Sequence, residues 1–189
     1  MKTAIIIHGK PDKEEFYSVD RPSSSNCHWL PWLQKQLLLG DILAQTPEMP
    51  AQYNHEYNAW KEMFERFPLN KETILVGYSC GGGFIVRYLS ENNVRVGRVV
   101  LVAPWIDPEK SLNTGMFDFK IDENLVNKTS GVTILNSTND MKTVQDSVAI
   151  LKEEVKNLMV VDFQNRGHFC YADIGTKFPE LLNVPVTDN

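Results

Sequence analysis

Residues 72–88 read Glu-Thr-Ile-Leu-Val-Gly-Tyr-Ser-Cys-Gly-Gly-Gly-Phe-Ile-Val-Arg-Tyr and form the most informative segment of the chain. Its first part, Thr73–Val76, is apolar and β-branched, which is typical of a buried strand. Its last part begins an apolar pattern at helical spacing, formed by Phe84, Ile85, Tyr88 and Leu89. The pentapeptide Gly77-Tyr78-Ser79-Cys80-Gly81 stands between them. The stretch therefore predicts a strand that turns sharply into a helix at a single serine.

A Gly-x-Ser-x-Gly turn places its central serine on a strained bend that exposes the hydroxyl group. Gly77 and Gly81 are expected on either side, because side chains there would collide where the strand and the helix close around the bend. The competing interpretation is a glycine-rich turn that binds a phosphate at the helix N-terminus. Its spacing, however, matches neither the dinucleotide-binding nor the P-loop glycine pattern. We therefore predict that Ser79 is a nucleophile.

The composition is that of an ordinary soluble globular protein. The 189 residues are 42% hydrophobic and 23% charged, which suits one domain over residues 1–189 with a sizeable core. The net charge of −5 offers no basic surface to nucleic acid or to an anionic membrane, and no apolar run approaches transmembrane length. Three cysteines without a Cys-x-x-Cys pair indicate neither a disulfide framework nor a zinc site. We expect a reduced, cytoplasmic protein without a metal.

Strand-like and helix-like segments alternate along the chain. The further strands are expected at Ala4–Ile7, Ile42–Ala44, Val99–Val102, Val132–Leu135 and Leu158–Val161. A long loop is expected at Lys10–Asn26. The helices are expected at Trp29–Leu39, from an Asn54 cap to about Phe67, from a Thr143 and Asp146 capping pair to Glu154, and at Ile174–Leu182. This alternation predicts an α/β fold with a mostly parallel sheet, helices on both faces and a site at the carboxyl ends of the strands.

A serine nucleophile needs a base within hydrogen-bond reach and a third group that orients the base. His168 follows the sixth strand on a glycine-containing loop, and we predict that it is the base. Asp140 follows the fifth strand and is the predicted orienting carboxylate, with Asp107 after the fourth strand as the alternative. The two remaining loop histidines, His28 and His55, are expected to be surface or capping residues.

Acyl transfer also needs donors directed at the developing oxyanion. The backbone N–H of Cys80 is one candidate, and a backbone N–H near Gly9 or Lys10 is the other if the first strand neighbours the third. Two loop regions, Lys10–His28 and Pro104–Ser130, could shape a pocket. The aromatic residues of the second region would form either a small lid over Ser79 or part of the core. The candidate pocket residues are His8, which is expected to brace the loop, and Tyr78, Trp105, Phe117 and Phe169.

Taken together, these residues resemble the α/β-hydrolase superfamily. The resemblance rests on His8-Gly9 after the first strand, on the Ser79 pentapeptide, on Asp140 after the fifth strand and on Gly167-His168-Phe169. Within the superfamily the chain resembles the small serine hydrolases related to retinoblastoma-binding protein 9. The resemblance implies a three-layer sandwich of about six parallel strands in the order 2-1-3-4-5-6.

The expected function is a metal-independent, carboxylesterase-like serine hydrolase that uses no cofactor. Ser79, Asp140 and His168 would cleave a small ester, thioester or amide through an acyl-enzyme intermediate. The expected partner is a small-molecule acyl substrate, and the expected state is a monomer or small homo-oligomer. The alternative is a non-catalytic or weakly catalytic protein-binding module on the same scaffold, which exposed Trp29, Trp32 and Trp105 would support. A third alternative transfers the acyl group to an acceptor other than water.

Overall fold

A computed structural model describes residues 2–184 of the chain. Its strands are β1 (Lys2–Ile7), β2 (Ile42–Gln45), β3 (Ile74–Tyr78), β4 (Val99–Val102), β5 (Val132–Ser137) and β6 (Met159–Phe163). They form a six-stranded sheet in the order β2-β1-β3-β4-β5-β6, and every neighbouring pair is parallel. The predicted α/β class and strand order are therefore confirmed.

Helices cover both faces of this sheet. They are α1 (Lys13–Tyr17), α2 (Leu30–Leu39), α3 (Tyr57–Phe64), α4 (Cys80–Glu91), α5 (Lys142–Glu154), α6 (Tyr171–Ile174) and α7 (Pro179–Asn183). Apolar residues of α3, α4 and α5 join the core on one face, and those of α2 and α7, together with Val144 of α5, join the core on the other. The architecture is the predicted three-layer sandwich.

Side-chain alternation along the strands divides the core in two. In β1, Ile5 and Ile7 belong to one buried cluster, and Ala4 and Ile6 belong to the other. Successive side chains of a strand point to opposite faces, and both faces are covered by helices. This is why the strands read as continuous apolar runs rather than as alternating ones.

Two helix starts differ from the prediction. Asn54 does not cap α3, because it ends a 3-10 turn and α3 begins three residues later at Tyr57. Thr143 does not cap α5, because α5 already begins at Lys142 and no side chain makes a capping bond there. Asp146 instead pairs with Lys142 across one turn of the exposed helix surface. Both predictions were wrong because the residue types that favour helix caps are also common within tight turns and within the first turn of a helix.

Two longer segments also differ. The expected helix at Ile174–Leu182 is divided into α6 and α7, because Gly175 takes a φ of +74° and ends the first of them. The expected loop at Lys10–Asn26 contains α1, which buries none of its residues, and a 3-10 turn at Ser24–Asn26. The loop lies at the carboxyl edge of the sheet, directly after β1, where the candidate site is located.

Candidate active site

Ser79 occupies the sharp turn between β3 and α4. Its φ of 52° is in the region that a residue with a side chain adopts only with strain. Hydrogen bonds hold both sides of its backbone: its N–H donates to the carbonyl of Val102 at 2.9 Å, and its carbonyl accepts from Gly82 and Trp105 at 2.9 and 3.1 Å. The surrounding structure thus imposes the bend, as the pentapeptide predicted.

The glycines around Ser79 allow a very close approach between strand and helix. A Cβ at Gly77 would stand 2.6 Å from the Cα of Gly82. A Cβ at Gly81 would stand 2.5 Å from the carbonyl oxygen of His8 and still closer to that of Ile7. These neighbours are backbone atoms that cannot rotate away. The N-terminus of α4 therefore packs directly on the end of β1.

Three predicted residues meet in one line of hydrogen bonds. The Nε2 of His168 lies 3.0 Å from the Oγ of Ser79. Its Nδ1 lies 3.0 and 2.9 Å from the two carboxylate oxygens of Asp140. The Asp140 side chain is fully shielded from solvent, and that of His168 is 21% exposed. This geometry matches a nucleophile, a base and an orienting carboxylate.

The alternative carboxylate, Asp107, is engaged elsewhere. One of its oxygens accepts from the backbone N–H and the hydroxyl of Ser111, at 2.9 and 2.7 Å, and the other accepts from the N–H of Leu112 at 2.8 Å. Asp107 thus stabilises its own loop after β4. Asp140, and not Asp107, contacts the imidazole of His168.

Two side chains that the sequence analysis did not single out connect the loops that carry Asp140 and His168. The Oδ1 of Asn139 accepts from the hydroxyl of Ser137 at 2.8 Å and from the N–H of Gly167 at 3.0 Å. The hydroxyl of Ser137 accepts in turn from the N–H of Arg166 at 2.9 Å. Their polarity, at the last residue of β5 and just beyond it, was the available signal. These bonds fix the two loops relative to each other.

The His168 loop is also held from below and from the following helix. The Tyr78 hydroxyl donates to the carbonyl of His168 at 2.9 Å, and burial raises the pKa of Tyr78, which keeps the hydroxyl protonated. The Oδ2 of Asp173 accepts from the N–H of His168 at 2.8 Å. Asp173 was missed because the predicted helix began at Ile174, whereas Asp173 lies inside α6, whose N-cap is Cys170, an unusual residue at that position.

The Gly9–Lys10 loop lies beside Ser79. A Cβ at Gly9 would stand 3.2 Å from the Cβ of Ser79. His8 braces this loop: its Nδ1 lies 2.5 Å from the carbonyl of Gly9, and its Nε2 accepts from the N–H of Met49 at 2.9 Å. Because Nε2 accepts, Nδ1 carries the proton. Burial lowers the pKa of His8, which favours this neutral form.

Cys80 is the first residue of α4, so its backbone N–H has no acceptor within the helix. Its side chain is completely buried, and burial raises the pKa of the thiol to about 12. A thiol in that environment stays protonated and unreactive. Cys80 therefore offers a backbone donor rather than a nucleophile.

A cavity of about 800 Å³ opens over Ser79 and His168. Most of its wall comes from the loop after β1 and from the segment after His168. The lining residues are Gly9, Lys10, Pro11, Glu15, Phe16, Arg21, Pro22, Ser23, Ser24, Cys27, His28, Glu48, Tyr78, Ser79, His168, Cys170, Tyr171 and Ala172. Of the five candidate pocket residues, Tyr78 lies in this wall.

The other four candidates do not line the cavity. His8 and Phe169 are almost completely buried, and the carbonyl of Phe169 accepts from the indole of Trp29 at 3.1 Å. Trp105 and Phe117 pack edge-to-face, with 5.4 Å between ring centroids, and both pack against the core. The region Pro104–Ser130 is therefore not an apolar lid over Ser79, because its aromatic residues find partners in the core.

Two histidines were expected to be surface or capping residues, and neither lies free on the surface. His55 is 2% exposed and faces Trp105. Burial and the nearby charge of Lys10 lower the pKa of His55 to about 4. His28 lies in the cavity wall, and its Nδ1 accepts from the N–H of Tyr171 at 3.0 Å. Local sequence did not indicate either position, because distant segments create both environments.

Within residues 2–184, no group of three or more histidine, cysteine or acidic side chains is arranged to hold a metal ion. No helix in the same range has the length and apolar character needed to cross a membrane.

The sequence profile of the serine hydrolase family matches residues 22–184. The chain therefore belongs to the serine hydrolase family, and it is a hydrolase.

Individual relatives agree with this assignment. The YdeN protein of Bacillus subtilis (strain 168) is 25% identical over 193 residues, which cover 97% of this chain and 94% of YdeN. The crystal structure of the ydeN gene product superposes with a TM-score of 0.79 at 24% identity, covering 97% and 96% of the two chains. Est1E from Butyrivibrio proteoclasticus, with ferulic acid bound, superposes with a TM-score of 0.66 at 14% identity, covering 98% and 86%. The predicted resemblance to the α/β-hydrolase superfamily is thereby confirmed.

Proposed function

We propose that the protein is a metal-independent, carboxylesterase-like hydrolase that cleaves a small ester, thioester or amide. The observation that carries the proposal is the line of hydrogen bonds from the Ser79 hydroxyl through His168 to Asp140. It lies at the opening of a cavity large enough for a small acyl substrate. The serine hydrolase family and the esterase fold neighbours support the same chemistry.

In this proposal the Oγ of Ser79 attacks the carbonyl carbon of the substrate while His168 Nε2 takes the hydroxyl proton. Asp140 orients the ring and stabilises the imidazolium that forms. The bond to the leaving group then breaks, and His168 gives the proton to the departing alcohol, thiol or amine. Water, deprotonated by His168, attacks the acyl-enzyme in the second half. The carboxylic acid leaves and Ser79 regains its proton.

Two backbone donors would stabilise the negative charge that develops on the carbonyl oxygen. One is the N–H of Cys80, which is free of intrahelical bonding at the start of α4. The other comes from the Gly9–Lys10 loop, which His8 holds against Ser79. Donors that are already positioned before the reaction stabilise the transition state by several kcal/mol, about 3 to 4 for one donor.

The competing function, a protein-binding module, depended on exposed tryptophans. Trp29 is completely buried, and Trp32 and Trp105 are partly buried against the core clusters. No specific observation among the described residues favours this function. Acyl transfer to an acceptor other than water uses the same residues, and product analysis with added alcohols distinguishes it from hydrolysis.

Hydrolysis of p-nitrophenyl acetate tests the proposal, using the wild type, Ser79→Ala and the exposed control Ser130→Ala. We expect Ser79→Ala to lose at least about 10³-fold in kcat. Ser130→Ala and wild type treated with EDTA should keep full activity. Equal turnover by wild type and Ser79→Ala would contradict the role of Ser79, and loss of activity with EDTA would contradict metal independence.

A further inference from the structure

One imidazole in the cavity takes no part in the hydrogen-bond line through Ser79. His28 lines the cavity together with Ser79 and His168. Its ring packs edge-on against Tyr78, with 5.4 Å between the ring centroids. His168 packs against the same tyrosine ring at 5.3 Å. His28 and His168 therefore lie at the same end of the cavity.

A backbone hydrogen bond determines which nitrogen of His28 carries the proton. Its Nδ1 accepts from the N–H of Tyr171 at 3.0 Å. A neutral imidazole that accepts at Nδ1 has its proton on Nε2. Burial and the nearby His168 lower the pKa of His28, which favours the neutral form. No residue within 2–184 accepts a hydrogen bond from this Nε2, and the atom is not among the buried, unpartnered ones. It is a donor available to a ligand in the cavity.

The backbone around His28 is strained and firmly anchored. His28 has a φ of 57°, in the left-handed region that disfavours residues with side chains. Trp29 anchors the next position, since its indole donates to the carbonyl of Phe169 at 3.1 Å. Both anchors, Phe169 and Tyr171, follow His168 within three residues. Strain of this kind persists where surrounding contacts impose it, and it is common at ligand sites.

We propose that His28 determines specificity by donating a hydrogen bond from its Nε2–H to an acceptor atom on the leaving group of the substrate. This inference rests on the proposed function, in which His168 delivers a proton to the leaving group. Both imidazoles pack against the ring of Tyr78, so His28 lies near the imidazole that protonates the leaving group. The leaving group is therefore the part of the substrate closest to His28. The preferred substrate class is an ester whose alcohol carries an ether, hydroxyl or carbonyl oxygen near the scissile bond.

Two esters that differ in one atom test this selection. 2-Methoxyethyl acetate and n-butyl acetate have the same acyl group and the same length, and one has an ether oxygen where the other has a methylene group. The measured quantity is the kcat/KM for 2-methoxyethyl acetate divided by that for n-butyl acetate. Each rate is monitored by titration of the released acid. Differences in leaving-group reactivity cancel when this ratio is compared between variants.

Two substitutions separate the donor from the anchor. In His28→Asn, the Oδ1 replaces Nδ1 as the acceptor for Tyr171, and asparagine tolerates the left-handed backbone, but no donor reaches the position of Nε2. In His28→Gln, the amide N–H approaches the position of Nε2 while the acceptor for Tyr171 is lost. We expect the ratio to fall about threefold to tenfold in His28→Asn, the effect of one hydrogen bond, and to stay close to the wild-type value in His28→Gln.

The inference is overturned if the ratio is unchanged in His28→Asn while its melting temperature equals that of the wild type. It is also overturned if both variants lower the ratio equally, because the anchor would then be the cause. If neither acetate is turned over, the ratio of their inhibition constants against p-nitrophenyl acetate replaces it, with the same expectation. Absence of p-nitrophenyl acetate hydrolysis by the wild type would instead contradict the proposed function, and the inference with it.

Discussion

Both carboxylate oxygens of Asp140 lie within 3.0 Å of the Nδ1 of His168, and the Asp140 side chain is closed off from solvent. One oxygen also accepts from the backbone N–H of Met141 at 2.6 Å. A carboxylate held in this way keeps the imidazole in one orientation, with its proton on Nδ1 and its Nε2 free to accept from Ser79. Asp107 makes its bonds within its own loop and has no such contact with His168.

Asparagine at each of the two positions distinguishes these roles. Asp140→Asn should lower kcat for p-nitrophenyl acetate by about 10³- to 10⁴-fold, because an amide favours the wrong imidazole tautomer. Asp107→Asn should keep kcat within about threefold of the wild type, while its melting temperature falls because loop hydrogen bonds are lost. A large loss of activity confined to Asp107→Asn would show that Asp107, and not Asp140, orients His168.

The Cys80 side chain should be dispensable for activity. Loss of an oxyanion donor lowers kcat about 10²- to 10³-fold. Cys80→Ala retains the backbone N–H at the start of α4, so its kcat should fall far less than that. Steady-state kinetics of this variant provide the measurement, and thermal melting monitors the packing of the buried position. A loss in kcat comparable to that of Ser79→Ala would show that the thiol takes part in the chemistry.

The close packing of α4 on β1 should make Gly81 intolerant of a side chain. Gly81→Ala should lower the free energy of unfolding by about 3 kcal/mol or more, because its methyl group would overlap backbone oxygens of Ile7 and His8. Gly40→Ala is the matched control, since a Cβ there would meet the carbonyl oxygens of Leu37 and Gln36 at the looser distances of 3.4 and 3.7 Å. Its effect should stay within about 1 kcal/mol. Urea unfolding measures both, and equal stability of the two variants would refute the packing argument.

His55 should make the fold sensitive to mild acid. Its pKa in the folded chain is about 4, chiefly because of burial, and the unfolded value is about 6.5. As the pH falls, His55 therefore becomes protonated in the unfolded chain at a higher pH than in the folded chain. The stabilisation is complete above pH 6.5 and is lost as the pH falls towards 4.

Substitution of His55 isolates this contribution. We expect the loss of unfolding free energy between pH 7.5 and pH 5 to be about 1 to 2 kcal/mol smaller in His55→Asn than in the wild type. Asparagine is suitable because His55 has a left-handed φ of 50°. Urea unfolding at the two pH values measures the difference. An identical pH dependence in both proteins would contradict the burial effect.

The sheet and the residues at its carboxyl edge could be predicted because their signals are local. Thr73–Val76 and the pentapeptide around Ser79 carry strand and turn chemistry within a few residues. Asp140 and His168 each lie on the loop that follows a strand, so parallel pairing was enough to bring them to the same edge.

The loops could not be predicted in the same way, because distant contacts decide them. His28 reads as an ordinary loop residue, yet its place in the cavity depends on Tyr171 near the other end of the chain. Trp105 and Phe117 have the composition of a lid, and only their packing against the core shows otherwise. Asn54 is a good helix cap by residue type, but it is the last residue of the 3-10 turn that precedes α3.

Covalent labelling can show directly whether the Ser79 hydroxyl is the nucleophile. A fluorophosphonate should react with the wild type, and peptide mapping by mass spectrometry should find the adduct on Ser79. Ser79→Ala should remain unlabelled, His168→Ala should label far more slowly, and Cys80→Ala should label like the wild type. A folded wild type that resists the reagent, or a Ser79→Ala variant labelled at the wild-type rate, would contradict the claim.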